Sequence, residues 1–446
     1  MDPRDAHPSI ETLIRANRGE IPLAVVEEEE REHLHALCPA CAAFWEEFEE
    51  MRRRRAAERD SAAASEEIAP QSREMETLLA GDRRIAEREV EEVLDMEPED
   101  REAKVTNAYK RFRTPAFVER MIEEARTWVW HDCGEALALL ALAEARLPKI
   151  RREIYGEGLV HRVTLRLLAH QGNALRVAGE LRAAEEKFAA VAEKLCYEPV
   201  EDCALLGELA SLEASLRRSQ RRFDDAEALL ERAAALFRRE GDGAGLAKVL
   251  VKRGALLYTN EEPVRAIGYL EAASSAATAA ADARVTLSAR HNLLLCLCAA
   301  GQPAAARELL EEARPLYEEA GDPTSLDLLV WAEGKVAAGL GEDETALGRL
   351  RAARDGYAER GMEYDAAMVC LDLAEIRFRR GETAQVRRLA ERMARAFSAR
   401  GVDREATRAV ALFRKAALAE AVTAELIART RTTLLRAAGR SPRRSS

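Results

Sequence analysis

The strongest chemical signal among the 446 residues is His33-Leu34-His35-Ala36-Leu37-Cys38-Pro39-Ala40-Cys41. A Cys-x-x-Cys step sets two sulfurs on one tight turn, about the bite that a tetrahedral zinc ion needs. A histidine one turn or more upstream, His33 or His35, can add a third ligand from the entering helix. The fourth position is open to His7, water or a partner's side chain. The same cysteine pair also suits a metal-free redox dithiol, or no function at all. Zinc and redox roles overlap, because a zinc-held pair releases its metal on oxidation.

No second constellation competes with it. The chain has no Gly-x-Ser-x-Gly, no Walker loop, no Gly-x-Gly-x-x-Gly behind a strand and no His-Glu-x-x-His, so no catalysis is expected. Trp128-Val129-Trp130-His131-Asp132-Cys133 gathers unusual residues, but tryptophans two apart on a helix point in different directions, which fits the packed end of a helix better than a metal site. Cys296 and Cys298 read as core packing on one helix. Arg217, Arg218, Arg221 and Arg222 beside Asp224 and Asp225 read as solvated ion pairing, with a docking patch as the alternative.

These groups need elements to position them. An acidic helical stretch from residue 27 enters the cysteine turn. A second helix follows with Phe44, Trp45, Phe48 and Met51 on one face, at helical spacing. Residues 27–58 therefore form a small helical head behind a featureless segment 1–26. A linker at 59–72 and a helical N-cap region at 73–113 come next.

The body carries a period. Gly301, Gly341 and Gly381 are spaced by 40 residues, and so are Gly321, Gly361 and Gly401. Taking Gly179, Arg221, Glu261, Gly301, Gly341 and Gly381 as the inner turns, small residues recur five positions on at Ala184, Ala226, Ala266, Ala306 and Ala346. Nine positions on stand Phe188, Leu230, Leu270, Leu310 and Leu350. Such a period implies stacked helix pairs that bury their apolar faces only against neighbours. Arg221 and Glu261 replace glycine, so their turns are expected to be less sharp. Gly321-Asp322-Pro323 reads as C-cap, N-cap and first-turn proline. The repeats are placed at 114–401, capping helices at 402–438 and a disordered basic tail at 439–446.

This pattern resembles the tetratricopeptide repeat, lengthened to 40 residues. Gly172-Asn173-Ala174-Leu175-Arg176-Val177-Ala178-Gly179, with Ala184 and Phe188, is the best single match. Residues 214–226, 331–341 and 361–374 resemble bacterial tetratricopeptide regulatory proteins, and similar pairs occur in the sensor arms of large bacterial transcription activators. The resemblance implies an all-α, right-handed solenoid of roughly seven pairs, and a concave face lined by the first helix of each pair. Carried over the repeats, it points to Arg166, Asn173, Arg176, Ser211, Ser215, Arg218, Lys248, Tyr258, His291, Trp331 and Lys335. The charged members are all positive, which suits a protein or peptide partner with acidic groups. A shifted register in the longer repeats would leave some of them buried.

The head resembles the zinc-binding head of anti-sigma factors, whose motif is His, three residues, Cys, two residues, Cys. The variant with four intervening residues, found ahead of tetratricopeptide arrays, implies His33, Cys38 and Cys41 as ligands of one Zn2+. The expected function is a bacterial regulator that holds a protein or peptide in its groove and makes a second contact through the zinc head. A strict anti-sigma factor with a sigma-factor partner, a redox-sensing zinc regulator and a purely structural scaffold are the alternatives. Composition agrees with this class. A net charge of −11 argues against nucleic acid. No apolar run reaches a membrane span, and no signal-peptide pattern opens the chain. A cytoplasmic location is expected.

Overall fold

The computed structural model describes residues 68–129, 132–399, 404–418 and 422–438. His33, Cys38 and Cys41, the helical head 27–58 and the tail 439–446 lie outside the described residues. The described chain forms nineteen α-helices and one short 3-10 turn, with no strand among the described residues. The fold is all-α and built from tetratricopeptide-like helix pairs. Backbone contacts divide it into two units, 1–176 with 180–216, and 177–179 with 217–446.

The first unit contains α1 (Ile68–Leu94), α2 (Pro98–Asn107), α3 (Pro115–Trp128), α4 (Cys133–Arg146), the single turn α5 (Arg152–Tyr155), α6 (Glu157–Ala178), α7 (Leu181–Tyr197) and most of α8 (Cys203–Ser219). Residues 68–72, assigned to the linker by sequence, already belong to α1. Thr114 and Asp132 cap α3 and α4 by accepting backbone N–H groups, as short polar side chains do at helix starts. Trp128 closes α3 but is 38% exposed, so the packed-end reading is corrected at this residue.

An unforeseen anchor sits at the end of α4. The Arg146 guanidinium is 1% exposed. It donates to the carbonyls of Phe112 at 2.9 Å, Val105 at 3.1 Å, Thr106 at 3.4 Å, Ala108 at 3.2 Å and Arg111 at 2.8 Å. The last turn of a helix and the loop after it leave carbonyls without backbone partners; here one planar cation takes up five of them between residues 105 and 112.

The second unit runs through α9 (Phe223–Glu240), α10 (Gly243–Thr259), α11 (Pro263–Ala279), α12 (Ala283–Ala299), α13 (Pro303–Ala320), α14 (Pro323–Gly339), α15 (Asp343–Glu359), α16 (Glu363–Arg379), α17 (Thr383–Ala399), α18 (Arg404–Leu418) and α19 (Ala424–Ala438). Every twentieth residue from Arg221 to Gly381 has a positive φ. Arg221 at φ 65°, Glu261 at 66° and Ala281 at 54° adopt it without being glycine. The expectation of looser turns at Arg221 and Glu261 is thus corrected. The hydrogen bond from Glu262 N to Leu257 O is 2.9 Å, the same as that from Glu342 N to Ala337 O at a glycine turn. The ladder of caps dictates the conformation, and the side chain bears the strain.

The expected columns pack as their sizes require. Ala226, Ala266, Ala306 and Ala346 are fully buried. Where the preceding helix carries a glycine opposite it, the large residue of the second column keys into that helix. A Cβ on Gly254 would lie 2.4 Å from Leu270 Cγ, and one on Gly334 would lie 2.7 Å from Leu350 Cγ. In the first unit Gly172 faces Phe188 in the same way, at 2.8 Å. Beyond the pairs, α18 packs on α17. The last helix, α19, packs on α18, lies on α16 and reaches α10.

Candidate binding site

The first helices of the pairs, α10, α12, α14 and α16, place side chains on one face at a step of 40 residues. Tyr258, Cys298 and Ala338 form one column, and Ala299, Gly339 and Arg379 form the next. Both columns line an open cavity of about 480 Å3, bordered also by Ala428, Arg431 and Thr432 of α19. Lys335, Arg379 and Arg431 against Asp372, Glu375 and Glu261 supply its charge.

Asp372 is the centre of this charge cluster. It is 6% exposed. It accepts from Trp331 Nε1 at 2.7 Å, Lys335 Nζ at 3.0 Å and Arg431 Nη2 at 3.0 Å. Arg431 Nη2 also donates to Glu375 Oε2 at 2.8 Å. Burial alone would push the Asp372 carboxyl up, but Lys335 and Arg431, helped by the Trp331 and Lys335 hydrogen bonds, hold it below the usual range. Burial works against the Lys335 ammonium, yet Asp372 raises its pKa above the ordinary lysine value. The cluster is therefore ionised at neutral pH and paired on both signs.

An aromatic row lies under it. The rings of Tyr317, His291, Trp331 and Tyr357 follow one another with 6.1 Å between successive centroids. His291 Nδ1 shares a hydrogen bond of 2.9 Å with the Tyr317 hydroxyl. Burial, reinforced by Lys335, lowers its pKa to about 4, so the ring is neutral at pH 7.

Of the residues expected from sequence, Tyr258 and Lys335 reach the cavity, while Trp331 lies buried beneath it and holds Asp372. His291 lies in the core. Lys248 is exposed, 3.8 Å from Asp282, and Arg218 is half-buried, with burial lowering its pKa. Asn173 and Arg176 belong to the first unit, where Arg176 is buried and donates to Asn173 Oδ1 at 2.9 Å. Arg166, also there, pairs with Glu208 at 2.9 Å, and buried His170 meets the other oxygen of that carboxylate at 2.9 Å. Ser211 is buried and Ser215 half-buried, donating to the Ser211 carbonyl at 3.1 Å.

Sequence reading missed Asp372, Glu375, Arg379, Glu261 and Arg431. The period carries a signal for some of them: Glu375 stands 40 residues after Lys335, and Arg379 stands 40 after Gly339. Cys298, expected in the core with Cys296, lines the cavity, whereas Cys296 is fully buried. Arg431 lies outside the period and carries no such signal. Among the described residues no cluster of three or more His, Cys, Asp or Glu side chains forms a metal site, and no helix is long and apolar enough to cross a membrane.

No family model and no curated protein sequence matches the chain. Solved structures do. A Rap protein complexed with competence and sporulation factor is 14% identical, with a TM-score of 0.54 over 73% of this chain and 89% of that one. Aspartyl phosphate phosphatase F from Bacillus subtilis is also 14% identical, with a TM-score of 0.50 over 88% of this chain and 94% of that one. At such identity the likeness is one of fold, and it agrees with the tetratricopeptide-like solenoid expected from the repeats. The expected likeness to anti-sigma heads has no counterpart among these findings.

Proposed function

We propose that this chain is a regulator acting by protein interaction, and that the first-helix face of its second unit holds a protein or peptide partner. The observation that carries this reading is the cavity of about 480 Å3, lined by side chains that recur at the repeat step and by a charge cluster. A face built from four equivalent helices suits an extended or helical ligand, which meets one repeat after another. The Rap protein of similar fold is complexed with competence and sporulation factor, which accords with a binding role for such an array. The cytoplasm is the setting that this reading implies.

The head completes the proposal. His33, Cys38 and Cys41 hold one zinc ion, which orders a segment too small to fold on its own apolar contacts. The helix of Phe44, Trp45, Phe48 and Met51 then makes a second, metal-dependent contact.

Site-specific photo-crosslinking in the source cell tests the binding face. A photoreactive amino acid in place of Tyr258 or Arg379 should yield a discrete adduct with another polypeptide. The same group at Ser275 or Arg182, exposed on second helices, should not. Adducts from Ser275 and Arg182 alone, or from no position, would overturn the assignment.

A further inference from the structure

The first-helix face already has an occupant. On α19, Ile427, Thr430, Arg431 and Leu434 share one stripe at i, i+3, i+4 and i+7, the spacing of an amphipathic helix laid into a groove. Ile427 and Leu434 are 2% and 0% exposed and join the apolar core built from α14 to α18. Thr430 is buried between them. Arg431 reaches Asp372 on α16 and Glu375 one turn further along it. Thr432 donates to Glu261 Oε1 at 2.7 Å, across 171 residues of sequence. Glu261 sits in the turn that follows α10, three repeats before α16.

The side chain seated at the centre of this face is thus a cation. The intrinsic cations of the site are satisfied within it, since Lys335 pairs with Asp372 and Arg379 with Asp343 at 3.3 Å. What Asp372 and Glu375 offer to an incoming segment is two carboxylate oxygens, and α19 fills them with one guanidinium. The same helix leaves the cavity beside it unfilled, so the seat is occupied while the space around it stays open.

From this geometry we infer that α19 is a resident, displaceable ligand of the first-helix face. A partner that takes this face must be an amphipathic helix that presents a basic residue to Asp372 and Glu375, between two aliphatic anchors one turn to either side. Binding and release of α19 are then one equilibrium, because both helices need the same carboxylates. This inference rests on the reading of that face as a binding surface, but it does not depend on who the cellular partner is.

The test uses the full chain and a fluorescein-labelled synthetic peptide of residues 422–438. In the wild type the resident helix competes at the high local concentration of a tethered segment. The Arg431→Ala chain loses the central ion pair of that competitor while Asp372 keeps Trp331 and Lys335. It should therefore bind the labelled peptide at least about tenfold more tightly than wild type. A peptide carrying the Arg431→Ala change should bind that chain at least about tenfold more weakly than the unaltered peptide. Thr432→Ala, a milder chain variant, should shift peptide affinity in the same direction by less. Amide hydrogen exchange over 424–438 should be slow in wild type and at least about tenfold faster in Arg431→Ala.

Equal peptide affinity for wild type and Arg431→Ala, no peptide binding to any chain, or exchange of α19 at the free-peptide rate in wild type would each overturn the inference. Circular dichroism of the variants separates displacement from unfolding. A failed peptide experiment beside positive crosslinks at Tyr258 would refute the resident helix and leave the binding face standing. Peptide binding without crosslinks would do the reverse.

Discussion

Asp372 is a position where a single substitution should cost the second unit much of its stability. Asp372→Ala removes a carboxylate that is 6% exposed, while Lys335 and Arg431 have side-chain exposures of 16% and 19%. Lys335 has no other ion-pair partner among the described residues, whereas Arg431 keeps Glu375. Breaking a buried ion pair from one side costs about 3–5 kcal/mol, and leaving the Trp331 N–H unpaired adds about 1–3 kcal/mol that overlaps with it. Partial exposure of both cations favours the lower end, so the expected loss is about 3–4 kcal/mol. A surface pair would cost under about 1 kcal/mol.

The contrast that isolates the cause is Lys335→Met/Asp372→Leu. It removes both charges together, and should lie within about 2 kcal/mol of wild type. The assay is urea unfolding followed by Trp331 emission in a chain whose Trp45, Trp128 and Trp130 are phenylalanine. Trp331 is then the sole reporter and lies beside the cluster. A loss below about 1 kcal/mol for Asp372→Ala, or a double variant less stable than the single one, would refute the reasoning.

Other outcomes follow from the same structure. Gly254→Ala gains about 1 kcal/mol of helix propensity, but its Cβ would lie 2.4 Å from Leu270 Cγ. Overpacking of about 1–3 kcal/mol should win, and Leu270→Val should relieve it in thermal unfolding. Ala281 sits exposed at φ 54°, so Ala281→Gly should stabilise the chain by about 0.5–1 kcal/mol, an unusual sign for adding glycine. His291 has a folded pKa of about 4 against about 6.5 unfolded. The unfolded state therefore takes the proton first, and stability should fall as pH drops from about 6.5 to about 4. His291→Gln should flatten that slope. Metal analysis of reduced protein should find about one zinc per chain, lost in Cys38→Ser/Cys41→Ser; no zinc in either would remove the metal from the proposed function.

The repeat architecture was legible because the period survives in residue types that geometry constrains. Ala266 and Ala306 are small because helices touch there, and Leu270 and Leu350 are large because Gly254 and Gly334 leave room for them. Among the described residues the turns were read correctly wherever glycine stood. They were misjudged at Arg221 and Glu261, where the helix-cap hydrogen bonds impose a positive φ on a side chain that disfavours it. The site was half legible. Tyr258 and Lys335 could be carried along the period, but His291 and Trp331 face the core because a 40-residue pair turns some first-helix positions inward. Arg431 could not be found from sequence, since it comes from a helix outside the repeats and meets Asp372 only through the tertiary fold.

The most direct test of the binding face is amide hydrogen exchange of the full chain with and without a partner captured by crosslinking at Tyr258. The expected result is slower exchange in the first-helix segments 254–261, 294–301, 331–339 and 372–379, together with faster exchange in 424–438 as the resident helix leaves. Protection confined to the second helices α11, α13 and α15, or to the first unit, would contradict the account.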